Sequence, residues 1–269
     1  MTMDRDEAEL LAAEVRKATN QTSPPIDVLQ IARDERIVPA PGEFGPEFEA
    51  RIEYHHGPGQ FILFFPVFTK GRSEARIRFS VAHELGHYYI PEHRRLLLNG
   101  KAHNSTCGSV CDNRLEREAD QFAACLLIPR ETLADFCWRK KVFTLKELVD
   151  LANAWQASAT SAAIRYAQWT SECCAILLSK NGIVKCYIPS DDAAYRGFEW
   201  LGTKRVSPKS ATMMATAHQR SRRFFEGESD TNAWFSERKA SHRLWEEAFP
   251  LGYTQLVLTL LTFEIDDRD

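Results

Sequence analysis

The sequence predicts an α+β protein in three parts: helices around a small sheet at residues 1–140, a short helical hairpin at 141–170, and a small α/β domain at 171–269. Three observations lead there. A strand-like hairpin at Ala50 to Phe65 is followed closely by a helical stretch at Glu74 to Tyr89. Thr144 to Trp169 carries two short runs with helical spacing, and the remaining residues open and close on strand-like runs.

Each element has a local reason. Asp6 to Thr19 places Leu10, Leu11, Val15 and Ala18 at helical spacing, and Pro24-Pro25 breaks it before a second short helix around Val28 to Ala32. In Ala50 to Phe65, Ala50, Ile52 and Tyr54 alternate with charged neighbours, His56-Gly57-Pro58-Gly59 supplies a turn, and Phe61 to Phe65 is nearly all apolar, as in a buried strand. Glu74 to Tyr89 sets Ile77, Val81, Leu85 and Tyr88 on one helical face and stops at Pro91. From there the chain reads as loop to about Asp112. Asn113 to Leu127 then brings Leu115, Ala119, Phe122 and Leu126 to one face, with Pro129 just beyond. Cys174 to Leu178 and Ile183 to Ile188 form strands joined by Lys180-Asn181-Gly182. Alternation puts only one of Cys173 and Cys174 on a buried face. An amphipathic segment lies around His242 to Phe249, and Thr254 to Ile265 reads as a buried strand.

Composition narrows the class. A chain of 269 residues can bury a substantial core, and 44% hydrophobic with 26% charged residues is ordinary for a globular protein. Even Leu256 to Leu261 falls far short of the eighteen or so apolar residues of a membrane span. The acidic N-terminus lacks the pattern of a secretion signal, so a cytoplasmic location is expected. Seven cysteines without framework spacing fit a reducing compartment. His103, Cys107 and Cys111 form H-x3-C-x3-C; the reading as loop thiols is favoured over a second metal site, since neither spacing is the usual one. The net charge is −3, yet Leu201 to Phe225 has no Asp or Glu and carries Lys204, Arg205, Lys209, Arg220, Arg222 and Arg223. Such a stretch is a solvated face or a site for nucleic acid or an acidic partner.

The chemistry sits in His83-Glu84-Leu85-Gly86-His87. Two histidines four apart on a helix project from one face toward a common point, the HExxH arrangement for a zinc ion with a glutamate as base. A catalytic zinc takes three protein ligands. Glu116, Glu118 and Asp120 on the next helix are the nearest dense supply of carboxylates. Glu116 has capping-box spacing from Asn113 and so a separate occupation, whereas Glu118 has none. Helical periodicity alone does not separate the three.

RFSVAHELGHYY followed by EREADQFAACLLIP is similar to the ImmA/IrrE family of zinc metallopeptidases, in which HExxH is paired with an E-A-N/D-x-F-A-x-x-L-L-x-P helix. The likeness is strong over Arg78 to Pro129 and thin beyond Arg130. It implies a zincin-like domain, a metal held by His83, His87 and Glu118, and Glu84 as general base in peptide hydrolysis. Zn2+ is the expected metal, and Mn2+ or Fe2+ also suit two histidines and a glutamate. The implied substrate is a regulatory protein, a DNA-binding repressor or an antitoxin. Tyr88, Tyr89, His93 or His103 would serve as oxyanion donor, and Asp120 either orients a ligand imidazole or is a surface charge.

Thr144 to Trp169 resembles the helix-turn-helix-like unit of some family members. Its second helix opens Ala159-Thr160-Ser161-Ala162-Ala163, poor in the polar side chains a DNA-reading helix needs, so packing or protein docking is the expected role. Some relatives carry a sensor-like domain at the C-terminus, where Trp200, Trp234 and Trp245 read as core or interface. The alternative to an enzyme is a DNA-binding or partner-binding regulator with a structural or vestigial zinc. Retention of Glu84 argues against it, because a structural site closes with four ligands and has no use for a base.

Overall fold

Asp4 opens the first helix through a capping box: its carboxylate accepts the Glu7 N–H while Glu7 reaches back to the Asp4 N–H. This computed structural model describes residues 3–45, 48–67, 73–100, 114–139, 143–198, 205–230, 234–235, 243–252 and 255–264. His103, Cys107, Cys111, Asn113, Trp200 and Lys204 therefore lie outside the described residues. The chain divides into two compact units, Met1–Leu133 with Ala152–Ser158, and Ala134–Leu151 with Ala159–Asp269.

In the first unit α1 (Arg5–Ala18) and α2 (Val28–Asp34) precede β1 (Val38–Gly42), β2 (Arg51–His55) and β3 (Gln60–Pro66). The expected hairpin is present: β2 pairs antiparallel with β3, Ile52 opposite Leu63. The sequence reading did not include β1, which runs parallel to β3 and gives the order β1-β3-β2. Pro39 and Pro41 make that segment look like loop. Gly42 O accepts from Val67 beside β3, so by alternation both prolines face outward, where no ladder donor is needed.

The motif helix α3 (Glu74–Tyr89) is capped by Ser73 and ends at Ile90. Pro91 then starts α4 (Pro91–Leu98), which replaces the expected loop: proline at N1 has φ suited to a helix and no N–H to lose. α5 (Arg114–Leu127) packs on α3 at Gly86, where a Cβ would stand 3.2 Å from Ala119 Cα and 3.1 Å from Phe122 Cδ1. α6 (Arg130–Arg139) follows, and the guanidinium of Arg16 donates to Cys125 O and Glu131, tying α1 to this region.

The second unit centres on a five-stranded sheet ordered β5-β4-β8-β7-β6, all antiparallel: β4 (Cys174–Lys180), β5 (Ile183–Pro189), β6 (Phe225–Asp230), β7 (Arg243–Pro250) and β8 (Leu256–Glu264). The β4–β5 turn follows its sequence, with Asn181 and Gly182 both at positive φ. Helices α7 (Leu145–Ala154) and α8 (Ala159–Trp169) supply Leu145, Leu148, Ala163 and Tyr166 to one face of this sheet, against Cys174, Ile176, Leu258 and Leu260. The short α9 (Asp191–Tyr195) and α10 (Ala211–Ala217) serve the other face, where Cys173 lies. Both faces being covered, Cys173 and Cys174 are both buried, contrary to the one-sided expectation.

This division differs from the three parts expected at 1–140, 141–170 and 171–269. Leu145–Leu151 and α8 cluster with the C-terminal sheet because their apolar faces are part of its core, while Ala152–Ser158 clusters with the first unit. Arg165 is only 1% exposed, so the charged side chain of α8 is not offered for DNA reading.

Candidate metal centre

His83 and His87, one turn apart on α3, point their Nε2 atoms at each other 3.0 Å apart. Glu116, reaching across from α5, puts Oε2 at 3.3 Å from His83 Nε2 and Oε1 at 3.7 Å from His87 Nε2. All three side chains are buried, and neither oxygen of Glu116 has a hydrogen-bond partner. A buried carboxylate so placed is costly unless a cation compensates it. Metal–ligand arms of 2.0–2.1 Å in a tetrahedron separate donors by about 3.3 Å, so spacings of 3.0, 3.3 and 3.7 Å fit a shared ion. Among the described residues this is the one group of three such donors gathered in this way.

Asp120, one turn beyond Glu116, stands 2.8 Å from His83 Nδ1. A carboxylate can only accept there, so Nδ1 carries the proton and Nε2 turns its lone pair to the cluster. Of the two sequence readings for Asp120, the one that orients an imidazole matches this contact. Burial alone would lower the pKa of His83, but Asp120 and Glu116 outweigh it and raise the value to about 10. The field inside the cluster thus favours positive charge, whether a proton or a metal ion carries it.

Glu84 is buried on α3 beside the pair. Its Oε2 accepts the Ile52 N–H at 2.9 Å from β2, and its Oε1 is buried without a hydrogen-bond partner.

Glu118 departs from the sequence expectation. Its Oε2 lies 3.0 Å from His93 Nε2, and its Oε1 accepts the Met3 N–H at 3.0 Å, with Arg114 Nε at 3.7 Å. It stands two positions from both Glu116 and Asp120, which is about 200° of helical rotation. If those two face the imidazoles, Glu118 faces elsewhere. The structure therefore brings Glu116 to His83 and His87, and Glu118 to His93. The missed signal was the four-residue interval between Glu116 and Asp120, which puts them on one face.

Of the expected oxyanion donors, His103 lies outside the described residues, and Tyr88 and His93 are paired with other groups. Tyr88 donates to Glu35 at 3.0 Å and receives from Arg94 at 3.2 Å. Tyr89 packs on Phe122, ring centroids 5.9 Å apart, and burial raises its pKa. His93 is taken by Glu118, its ring 5.0 Å from that of His87.

Residues 69–166 match the family model described as the IrrE N-terminal-like domain, Peptidase_M78, a span holding α3 and α5. Among solved structures, a Mycobacterium tuberculosis transcriptional regulator is similar at 11% identity, with a TM-score of 0.62, covering 96% of this chain and 76% of that one. At that identity the likeness is one of fold. A search of curated protein sequences returned no match. Among the described residues no helix is long and apolar enough to cross a membrane.

Proposed function

With residues 69–166 belonging to the ImmA/IrrE family through their IrrE N-terminal-like domain, we propose that the chain is a zinc-dependent endopeptidase cutting a specific regulatory protein, a repressor or an antitoxin. The observation that carries this reading is the convergence of three buried donors, His83, His87 and Glu116, beside the buried carboxylate of Glu84. Three ligands are the number typical of a catalytic zinc, whereas structural sites close with four.

A zinc ion held there supplies Lewis acidity for the scissile carbonyl and lowers the pKa of a coordinated water to about 7. Asp120 holds the His83 ring by its Nδ1–H. Glu84, fixed at Oε2 by the Ile52 N–H, has Oε1 to take the water's proton and return it to the leaving amine. With water as the nucleophile and Glu84 carrying its proton to the leaving amine, the peptide C–N bond would break without a covalent acyl-enzyme. An extended substrate would lie along β2: it is a sheet edge next to Glu84, whereas the β1 edge presents the prolines Pro39 and Pro41.

A cytoplasmic regulatory role rests on the family likeness. The test is incubation of the metal-loaded chain with repressor and antitoxin products of neighbouring genes, with and without chelator. Cleavage should appear, stop on chelation, and be lost in Glu84→Gln while metal content stays. Cleavage or biological output unchanged in Glu84→Gln would reject the enzymatic reading in favour of a binding regulator.

A further inference from the structure

The strand register gathers the basic residues of the second unit at one end of its sheet. Lys180 ends β4 opposite Leu256, the first residue of β8; Ile183 begins β5 and bridges to Arg205; Pro250 ends β7 opposite Val257; Phe225 begins β6, with only Phe224 between it and Arg222-Arg223. The loop from α10 is fastened to the same end, since the Gln219 side chain donates to Gln255 O and His218 packs on Phe225. Segments far apart in sequence thus meet there, and within 178–185, 205–225 and 248–257 there is no Asp or Glu.

Lys180, Arg205, Lys209, Arg220, Arg222 and Arg223 are all exposed, and none has an ion-pair partner among the described residues. Several cations elsewhere are paired, as in Arg16 with Glu131, Arg114 with Glu92, Arg196 with Asp192 and Lys146 with Asp150. A chain of net charge −3 that concentrates six unneutralised cations at one sheet end sets up a local positive field. The opposite end of the sheet holds Glu172, Asp191 and Glu264.

We infer that this end of the C-terminal sheet binds the phosphate backbone of nucleic acid, without reading its sequence. Four of the six cations are arginines, whose planar fork suits phosphate oxygens. Five strands span about 19 Å at the usual inter-strand spacing, the axial length of five or six phosphates of one strand of duplex DNA. A protein partner would need an apolar anchor. Among the described residues, none of the exposed large apolar side chains is in 178–185 or 249–257, and within 205–225 only Met214, on α10, is one. The binding site is separate from the metal centre and does not depend on peptidase activity.

The test is fluorescence anisotropy of the full chain with a labelled 25-base-pair DNA duplex of arbitrary sequence, between 50 and 200 mM salt. Four or five phosphate contacts predict that log K falls against log[salt] with a slope of about −4. The double variant Arg222→Glu/Arg223→Glu should weaken binding tenfold or more and flatten that slope by about two units, whereas Lys17→Glu on α1 and Glu84→Gln should bind like the parent protein. Absence of binding at 50 mM salt, or equal loss in Lys17→Glu, overturns the inference. So does preference for polyglutamate, which would indicate an acidic protein partner, or for phosphatidylserine vesicles over DNA.

Discussion

Glu116 and Glu118 carry the same functional group two positions apart, so only helix rotation can assign their roles. Glu116 lies against both ligand imidazoles, and Glu118 against His93 and the Met3 N–H. Removing a direct ligand costs more than removing a group that orients one, and orienting groups are worth about 10–100-fold in metal affinity. Glu116→Gln should therefore lose more than about 100-fold in zinc affinity, and Asp120→Asn about 10–100-fold. Glu118→Gln should stay within a few-fold of the parent. Competition with a chelator of known affinity measures all three, and a larger loss in Glu118→Gln than in Glu116→Gln would restore Glu118 as the ligand. His83, Glu84 and His87 are drawn together in the sequence because one turn of one helix holds them. The proposed third ligand lies on another helix, and which carboxylate faces inward depends on rotation that a run of Glu, Glu and Asp does not reveal. The capping-box spacing drew Glu116 toward a different role, while its interval of four from Asp120 pointed to the shared face.

At the level of elements, the centre depends on how closely α3 and α5 approach. Gly86 permits it: an added Cβ would meet Ala119 O at 3.2 Å and Phe122 Cδ1 at 3.1 Å. Alanine gains up to about 1 kcal/mol of helix propensity over glycine, but crowding in a packed interior costs about 1–3 kcal/mol. Backbone atoms of α5 cannot turn aside as a flexible side chain would, so crowding should prevail. Gly86→Ala should lose up to about 2 kcal/mol in urea unfolding and bind zinc less tightly, because Glu116 and Asp120 flank Ala119 and move with it. A Gly86→Ala protein that is more stable and retains its affinity would show the contact to be incidental. The helices and hairpins were legible where periodicity and punctuation agreed, as at Ser73 to Ile90 and at Asn181-Gly182. β1 and α4 were not, since proline reads as a breaker. At Pro39, Pro41 and Pro91 it occupies edge or first-turn positions where the missing N–H costs nothing.

On the scale of the whole molecule, every donor of the metal centre belongs to the first unit, and the charge segregation belongs to the second. Sequence alone indicated a basic stretch, but the meeting of its ends with the β4–β5 and β7–β8 turns depends on pairing between distant strands. Metal removal should act on the units unequally. Without a cation, the Glu116 carboxylate stays buried between α3 and α5 with no hydrogen bond to its oxygens, whereas among the described residues β4 and β8 contribute no donor. A ligand present at a thousand times its Kd stabilises the state that binds it by about 4 kcal/mol. Chelation should accordingly speed amide hydrogen exchange in residues 74–89 and 114–127 by as much as about a thousandfold where exchange follows opening of the metal site. Exchange in residues 174–180 and 256–264 should stay as it was. Equal loss of protection in both pairs of segments would mean that the ion stabilises the chain as a single cooperative body, and unchanged protection in α3 would argue against a metal site at His83 and His87.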